Sequence, residues 1–238
     1  MNNLLKDNVN KFNIVEDCNY LFRKNHQLRG DISIKLLSDV IDRKRECPQK
    51  LLSIACSIGV IEEKIKNRLG IVVYGIDAAK DALKKASERG IITKDADISK
   101  RLPFKDDYFD FVFAGEVIEH ILDTKAFLIE IHRVLKPGGY VVITTPNLAR
   151  LDDRLKLLFG KTPRQTSPLH PYLYLHIHPF TFDSLKNALK AYGFTEIILR
   201  TNVFTADFWG KEITLYSKLL TRLFPTLGST LIVRAKKR

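Results

Sequence analysis

The chain is poor in cysteine and has no long hydrophobic run. Its 238 residues include three cysteines, Cys18, Cys47 and Cys56, whose spacing fits neither a disulfide framework nor a zinc site. No apolar stretch approaches the roughly 18 residues that a membrane span needs, and the polar first residues do not resemble a signal peptide. We therefore expect a soluble, cytoplasmic protein. The length and the 45% content of hydrophobic residues suit one domain.

Acidic residues are scarce in the C-terminal third. The net charge is +12, and residues 148–238 contain 15 Lys and Arg against 6 Asp and Glu. These cations either solubilise the surface or attract an anionic ligand. No run typical of RNA-recognition domains accompanies them.

Short β-branched runs alternate with segments of helical period from Leu51 to Thr145, which predicts parallel strands joined by helices. Strands are expected at Lys50–Ile54, Ile71–Ile76, Ile92–Ala96, Phe109–Ala114 and Gly139–Thr145, and helices at Gly59–Arg68, Ala79–Arg89 and Lys125–Leu135. Helices are also expected over Asn10–Arg45 and Phe180–Tyr192, and further strands at Thr195–Val203 and Thr230–Ala235. The fold class predicted is α/β, with a doubly wound sheet.

Small residues follow the first strand, and an acid follows the second. The dinucleotide fingerprint G-x-G-x-x-G is absent, since only Gly59 remains of it, and this argues against a nicotinamide cofactor. Ala55 and Ser57 would let the backbone approach a ligand, although an ordinary turn would contain them too. Asp77 either accepts hydrogen bonds from a ribose or caps the next helix.

Six motifs in order resemble the class I methyltransferase superfamily, in particular the type 11 and ubiquinone-pathway O-methyltransferases. They are Gly75-Ile76-Asp77, Asp97-Ile98, Leu102-Pro103-Phe104, Tyr108-Phe109-Asp110, Glu116-Val117-Ile118-Glu119-His120 and Leu135-Lys136-Pro137-Gly138-Gly139-Tyr140. The resemblance implies a mostly parallel, seven-stranded Rossmann-like sheet with an N-terminal helical cap. It also implies the cofactor S-adenosyl-L-methionine, bound by Ala55, Cys56, Ser57, Gly59, Asp77, Ala78, Asp97, Ile98 and Ala114.

The first turn departs from the pattern of that superfamily. Ser53 stands for the usual acidic residue, Ala55 for the first glycine and Ser57 for the second. Because alanine and serine disfavour positive φ, the turn's conformation is in question. We also expect a weaker hold on the methionine amino group of the cofactor.

The fourth strand is followed by Glu116, Glu119 and His120, whose spacing predicts one face of a helical turn. Two carboxylates and an imidazole there could bind a divalent metal. The same pattern resembles metal-dependent small-RNA 2′-O-methyltransferases, and that resemblance implies His176 as a fourth ligand. Without a metal, His120 is the candidate catalytic base.

The single domain is expected to comprise a cap (1–48), a cofactor-binding core (49–147), an acceptor-side insert (148–179) and a C-terminal region (180–238). The insert mixes cations such as Arg150, Arg154 and Arg164 with His170, Tyr172 and Tyr174, which suits acceptor binding or plain surface packing. The apolar stripe over Phe208–Phe224 is expected to pack on its own domain, with membrane or lipid-carrier contact as the alternative.

Three functional hypotheses result. The first is O-methylation of a small metabolite or glycan, with an anionic acceptor suggested by the basic C-terminal third. The others are RNA 2′-O-methylation and a non-catalytic binding module. The sequence does not indicate an oligomeric state.

Overall fold

A seven-stranded sheet forms the centre of the computed structural model, which describes residues 24–166, 175–208 and 211–238. The sheet contains β1 (Lys50–Ile54), β2 (Val72–Asp77), β3 (Ile92–Asp95), β4 (Phe109–Gly115), β5 (Leu135–Pro146), β6 (Phe194–Arg200) and β9 (Thr230–Lys237). Its order is β3-β2-β1-β4-β5-β9-β6, and only β9 is antiparallel to its neighbours. The predicted doubly wound, mostly parallel sheet is therefore confirmed.

Helices cover both faces of this sheet. They are α1 (Lys24–Ser38), α2 (Val60–Leu69), α3 (Lys80–Glu88), α4 (Thr124–Val134), α5 (Leu151–Leu158), α6 (Phe182–Ala191) and α7 (Lys218–Leu223). Leu37, Ile65 and Leu83 of α1, α2 and α3 share one buried apolar cluster, whereas Leu128 and Leu185 of α4 and α6 belong to the other. Because the chain reverses its direction across the sheet between β1 and β4, a crevice opens at the carboxyl ends of these strands.

Helix α1 is the described part of the predicted cap, and residues 10–23 of that prediction lie outside the described residues. Ile34, Leu36 and Leu37 are buried against the sheet. The guanidinium of Arg234 in β9 donates a hydrogen bond to the Leu36 carbonyl at 2.9 Å. The cap is therefore joined to the C-terminal strand.

The segment before β9 contains a feature that the sequence analysis missed. Strands β7 (Phe204–Phe208) and β8 (Lys211–Leu215) pair antiparallel in a separate two-stranded sheet. Alternation of Thr214 with the exposed Ile213 and Leu215 gives a period of two, which is typical of strands. No helix in the described ranges is long and apolar enough to cross a membrane.

Asp110 at the start of β4 joins three segments at the amino ends of the central strands. Its carboxylate accepts hydrogen bonds from the Lys50 backbone N–H and from Lys136 Nζ, both at 2.9 Å, and from the Arg45 guanidinium. Burial favours a higher pKa for Asp110, but the Lys50, Lys136 and Arg45 hydrogen bonds outweigh it and lower the pKa.

Asp110→Asn should lower the free energy of unfolding by about 1–3 kcal/mol, because it removes the charge that two cations share. Denaturant unfolding at neutral pH measures this. Asp106→Asn is the matched control: its carboxylate pairs with Arg133 but is exposed, so this substitution should cost much less than Asp110→Asn. The stability that ionised Asp110 contributes is present above about pH 4 and is lost as pH falls through the lowered pKa. The unfolding curves of the wild type and Asp110→Asn should therefore converge in acid. Equal losses for Asp110→Asn and Asp106→Asn at neutral pH would refute the prediction.

Candidate active site

The turn that follows β1 has positive φ values, although Ala55 and Ser57 stand where the superfamily has glycine. Ala55, Ser57 and Gly59 have φ values of 56°, 48° and 76°. A left-handed conformation costs a non-glycine residue about 1–2 kcal/mol, so the surrounding contacts must stabilise the turn. A Cβ atom at Gly59 would lie 3.0 Å from the Cβ of Ala86, which explains why the last glycine of the turn is present.

Asp77 at the end of β2 supplies one of these contacts. Its carboxylate accepts a hydrogen bond from the Ser57 N–H at 2.8 Å and one from the Ala79 N–H at 2.9 Å. Asp77 therefore holds the turn closed and also bonds to the backbone beside the start of α3. Each oxygen retains acceptor capacity for a ligand hydroxyl.

A cavity of about 1740 Å³ lies over these residues, compared with roughly 300–1,000 Å³ for typical ligand sites. Eight of the nine residues expected to bind the cofactor line it, namely Ala55, Cys56, Ser57, Gly59, Asp77, Ala78, Asp97 and Ile98. Ala114 does not line it, because its side chain is fully buried in the core, and Gly115 lines the cavity instead. Burial raises the pKa of the Cys56 thiol, which makes it a poor nucleophile. The volume leaves room for a second ligand.

Glu119, His120 and His176 meet at the same cavity. Their potential ligand atoms lie within 4.8 Å of one another, and the two imidazole centroids are 4.9 Å apart. Two backbone hydrogen bonds bring the segment of His176 over the turn that follows β4. The N–H groups of Ile177 and His178 donate to the Glu119 carbonyl at 2.8 and 3.1 Å. Side chains from two distant parts of the sequence thus form one cluster.

Burial shifts the pKa values of Glu119 and His120 in this cluster. Burial, and then the nearby Glu116, raise the pKa of Glu119 well above its usual range. One Glu119 oxygen accepts from Thr145 Oγ1 at 3.0 Å, whereas the other is buried without a hydrogen-bond partner among the described residues. Burial lowers the pKa of His120, so its imidazole is neutral near pH 7. Nδ1 of His120 lies 3.0 Å from the Leu175 carbonyl.

Glu116 is not part of the cluster, although the spacing grouped it with Glu119 and His120. It has a φ of 56°, and its carboxylate pairs with Arg29 at 3.2 Å and accepts from Thr144 Oγ1 at 3.0 Å. Of the four predicted metal ligands, three lie together, namely Glu119, His120 and His176, and Glu116 pairs with Arg29 instead.

Two polar residues that line the cavity were missed in the sequence. Arg29 on α1 and Glu62 on α2 are only 6% and 4% exposed. Arg29 stands within an apolar helical pattern, which was an available signal for a buried cation. Glu62 had none, because acids are common in the first turn of any helix.

The insert contributes less positive charge to the cavity than its composition suggested. Arg150 is buried, pairs with Asp152 at 2.6 Å and Asp153 at 3.1 Å, and donates to Thr205 Oγ1. His170, Tyr172 and Tyr174 lie outside the described residues. Arg150, the one buried Lys or Arg among the described residues of the insert, is therefore balanced by its own neighbours.

Comparison with known proteins agrees with this geometry. Residues 52–143 match the family described as a methyltransferase domain. Phosphoethanolamine N-methyltransferase 2 of Caenorhabditis elegans is 35% identical over 102 residues, 40% of this chain and 23% of that protein. The mitochondrial ubiquinone biosynthesis O-methyltransferase of Homo sapiens is 30% identical over 148 residues, 57% of this chain and 39% of that protein. The chain therefore spans less than half the length of either relative.

A solved structure shares the fold over nearly the whole chain. A SAM-dependent methyltransferase from Thermotoga maritima superposes with a TM-score of 0.66, covers 95% of this chain and 97% of that chain, and is 17% identical. Such a low identity shows the fold alone. Residues 52–143 are therefore similar to a methyltransferase domain, and the chain has the fold of S-adenosylmethionine-dependent methyltransferases.

Proposed function

We propose that this chain transfers a methyl group from S-adenosylmethionine to an oxygen atom of a small metabolite or glycan. The observation that carries the proposal is that the Asp77 turn and the Glu119-His120-His176 cluster line one cavity. The cofactor supplies the methyl group, which is bonded to its sulfonium sulfur. The chain's own contribution is to align the acceptor and to manage its proton.

The residues around the turn fit the cofactor. The positive φ values of Ala55, Ser57 and Gly59 bring backbone close to the cavity, as an adenosyl ligand at a sheet edge requires. Asp77 is held by two backbone N–H groups, which preorganise its carboxylate toward ribose hydroxyls. Asp97 and Ile98 line the same cavity, and the resemblance to the methyltransferase superfamily implies that the adenine lies beside them.

The Glu119-His120-His176 cluster fits a divalent metal. The buried oxygen of Glu119 without a partner is a ready ligand atom, and a neutral His120 is the form that coordinates metals. Nδ1 of His176 lies 3.1 Å from Gln165 Oε1, the outer contact that typically orients a metal-binding imidazole. A divalent cation bound there would supply Lewis acidity toward acceptor oxygen atoms. Glu119, His120 and His176 would hold it.

The charges at this end of the cavity favour an uncharged hydroxyl acceptor. Arg150 lines the cavity there, but it is paired with Asp152 and Asp153. A strongly anionic acceptor would have to compete with these buried pairs. The basic surface of the C-terminal third is therefore not the basis of the proposal.

RNA 2′-O-methylation is the second candidate function, because the Glu119, His120 and His176 grouping resembles that of metal-dependent RNA methyltransferases. A turnover screen with labelled methyl donor and cell extract separates the two candidates. Label in small molecules or glycans that is insensitive to nuclease supports the first candidate. Label in RNA that nuclease removes supports the second, and absence of label in every fraction contradicts both.

Asp77→Asn should weaken S-adenosylmethionine binding at least about tenfold, because one charge-assisted acceptor of the ribose is lost. Asparagine keeps an oxygen for one of the two backbone N–H groups, so the fold should remain. Isothermal titration calorimetry measures the affinity. Asp81→Asn, an exposed acid in the first turn of α3, is the matched control and should bind as the wild type does. Unchanged affinity in Asp77→Asn would remove Asp77 from the ribose site.

His176→Ala should abolish tight Mn²⁺ binding, because three protein ligands become two. His178→Ala is the matched control, since His178 is two residues away and its Nε2 lies 3.1 Å from the Leu122 carbonyl, outside the cluster. Electron paramagnetic resonance of free Mn²⁺ measures the binding without any need for an acceptor. If the wild type and both variants bind Mn²⁺ alike, or if turnover survives EDTA undiminished, the metal proposal fails and His120 remains the candidate base.

A further inference from the structure

A buried carboxylate lies at the end of the cavity where the turn after β1 lacks its acid. Glu62, in the first turn of α2, lines the cavity and is only 4% exposed. Its Oε1 accepts a hydrogen bond of 2.7 Å from Ser53 Oγ. Ser53 occupies the position where the sequence pattern expects an acidic residue, so helix α2 brings a carboxylate to the place that strand β1 leaves without one.

The surroundings of Glu62 favour a positively charged ligand. Burial raises the pKa of Glu62 to about 7, and Asp77 adds to the rise, while the Ser53 hydrogen bond and Arg29 oppose it. After burial, Glu62 also raises the pKa of the Cys56 thiol. In the described ranges no Lys or Arg side chain forms an ion pair with Glu62. Because an uncompensated buried carboxylate is costly, a cationic group from a ligand would relieve that cost.

Arg29 gives this end of the cavity a complementary cation. Its side chain is 6% exposed and lines the same cavity. One guanidinium nitrogen pairs with Glu116, whereas Nε is buried without a hydrogen-bond partner in the described part of the chain. A carboxylate and a guanidinium with a remaining donor suit a zwitterionic amino-acid group, with its ammonium toward the acid and its carboxylate toward the arginine.

We propose that Glu62 binds the α-ammonium group of S-adenosylmethionine, in place of the acid that Ser53 replaces. The inference rests on the cofactor binding proposed above. The shared hydrogen bond with Ser53 fixes the carboxylate, and α2 holds it at the end of the turn. The hold on the amino group is therefore preserved by a residue from a different element, and the departure at Ser53 does not weaken it.

Calorimetry with two probes tests this assignment. S-adenosylhomocysteine has the α-ammonium group, and its deamino analogue lacks only that group. The wild type should bind S-adenosylhomocysteine at least about tenfold more tightly than the deamino analogue. In Glu62→Gln this preference should fall close to one, while the affinity for the deamino analogue stays unchanged. Glu63→Gln is the matched control and should keep the wild-type preference, because Glu63 pairs with Arg89 at 2.7 Å.

The outcomes separate this inference from the proposed function. If the wild type binds neither probe, the cofactor proposal itself fails. If the wild type binds both probes equally, or if Glu62→Gln keeps the wild-type preference, Glu62 does not bind the ammonium group. If Glu62→Gln fails to fold, Glu62→Asp is the alternative variant. Its carboxylate is shorter by one methylene group, so the preference for S-adenosylhomocysteine over the deamino analogue should fall. A full preference in that folded variant would overturn the assignment.

Discussion

The carboxylate of Asp77 is the contact on which the site depends. The turn after β1 contains Ala55 and Ser57 at positive φ, and each costs about 1–2 kcal/mol compared with an ordinary conformation. The hydrogen bond from the Ser57 N–H to Asp77 helps to offset that cost, and the bond from the Ala79 N–H places the start of α3. One acid at the end of β2 thus stabilises the shape of the turn and is also the group proposed to hold the ribose.

Three acids line one cavity, and they differ in their partners; Glu62 and Glu119 are buried, and Glu116 is partly exposed. Glu116 pairs with Arg29 from the N-terminal helix. Glu62 accepts from a serine hydroxyl, and Glu119 accepts from Thr145 with one oxygen and has no partner within the described residues for the other. Because a buried carboxylate needs a positive partner, the two that lack a protein cation are the ones for which we propose a ligand ammonium and a metal.

The insert affects the site through its backbone more than through its cations. The hydrogen bonds from Ile177 and His178 to the Glu119 carbonyl bring the end of the insert onto the turn after β4. The Arg150 and Asp153 pair fixes α5 from within the core. A segment that looked like a basic binding surface in the sequence therefore uses its buried arginine for folding, while its last residues complete the cluster with His176.

The sequence by itself determined the order of strands and helices from β1 to β5, because alternating apolar runs report burial within a single segment. It also determined that Asp77, Glu119 and His120 stand at strand ends, where a parallel sheet gathers them at one edge. Only the tertiary structure decided that Glu116 turns to Arg29 and that Glu62 reaches Ser53. Arg29 and Glu116 are far apart in the chain, and Ser53 and Glu62 are nine residues apart on consecutive elements. Both pairings depend on how α1 and α2 pack on the sheet, which no local pattern encodes.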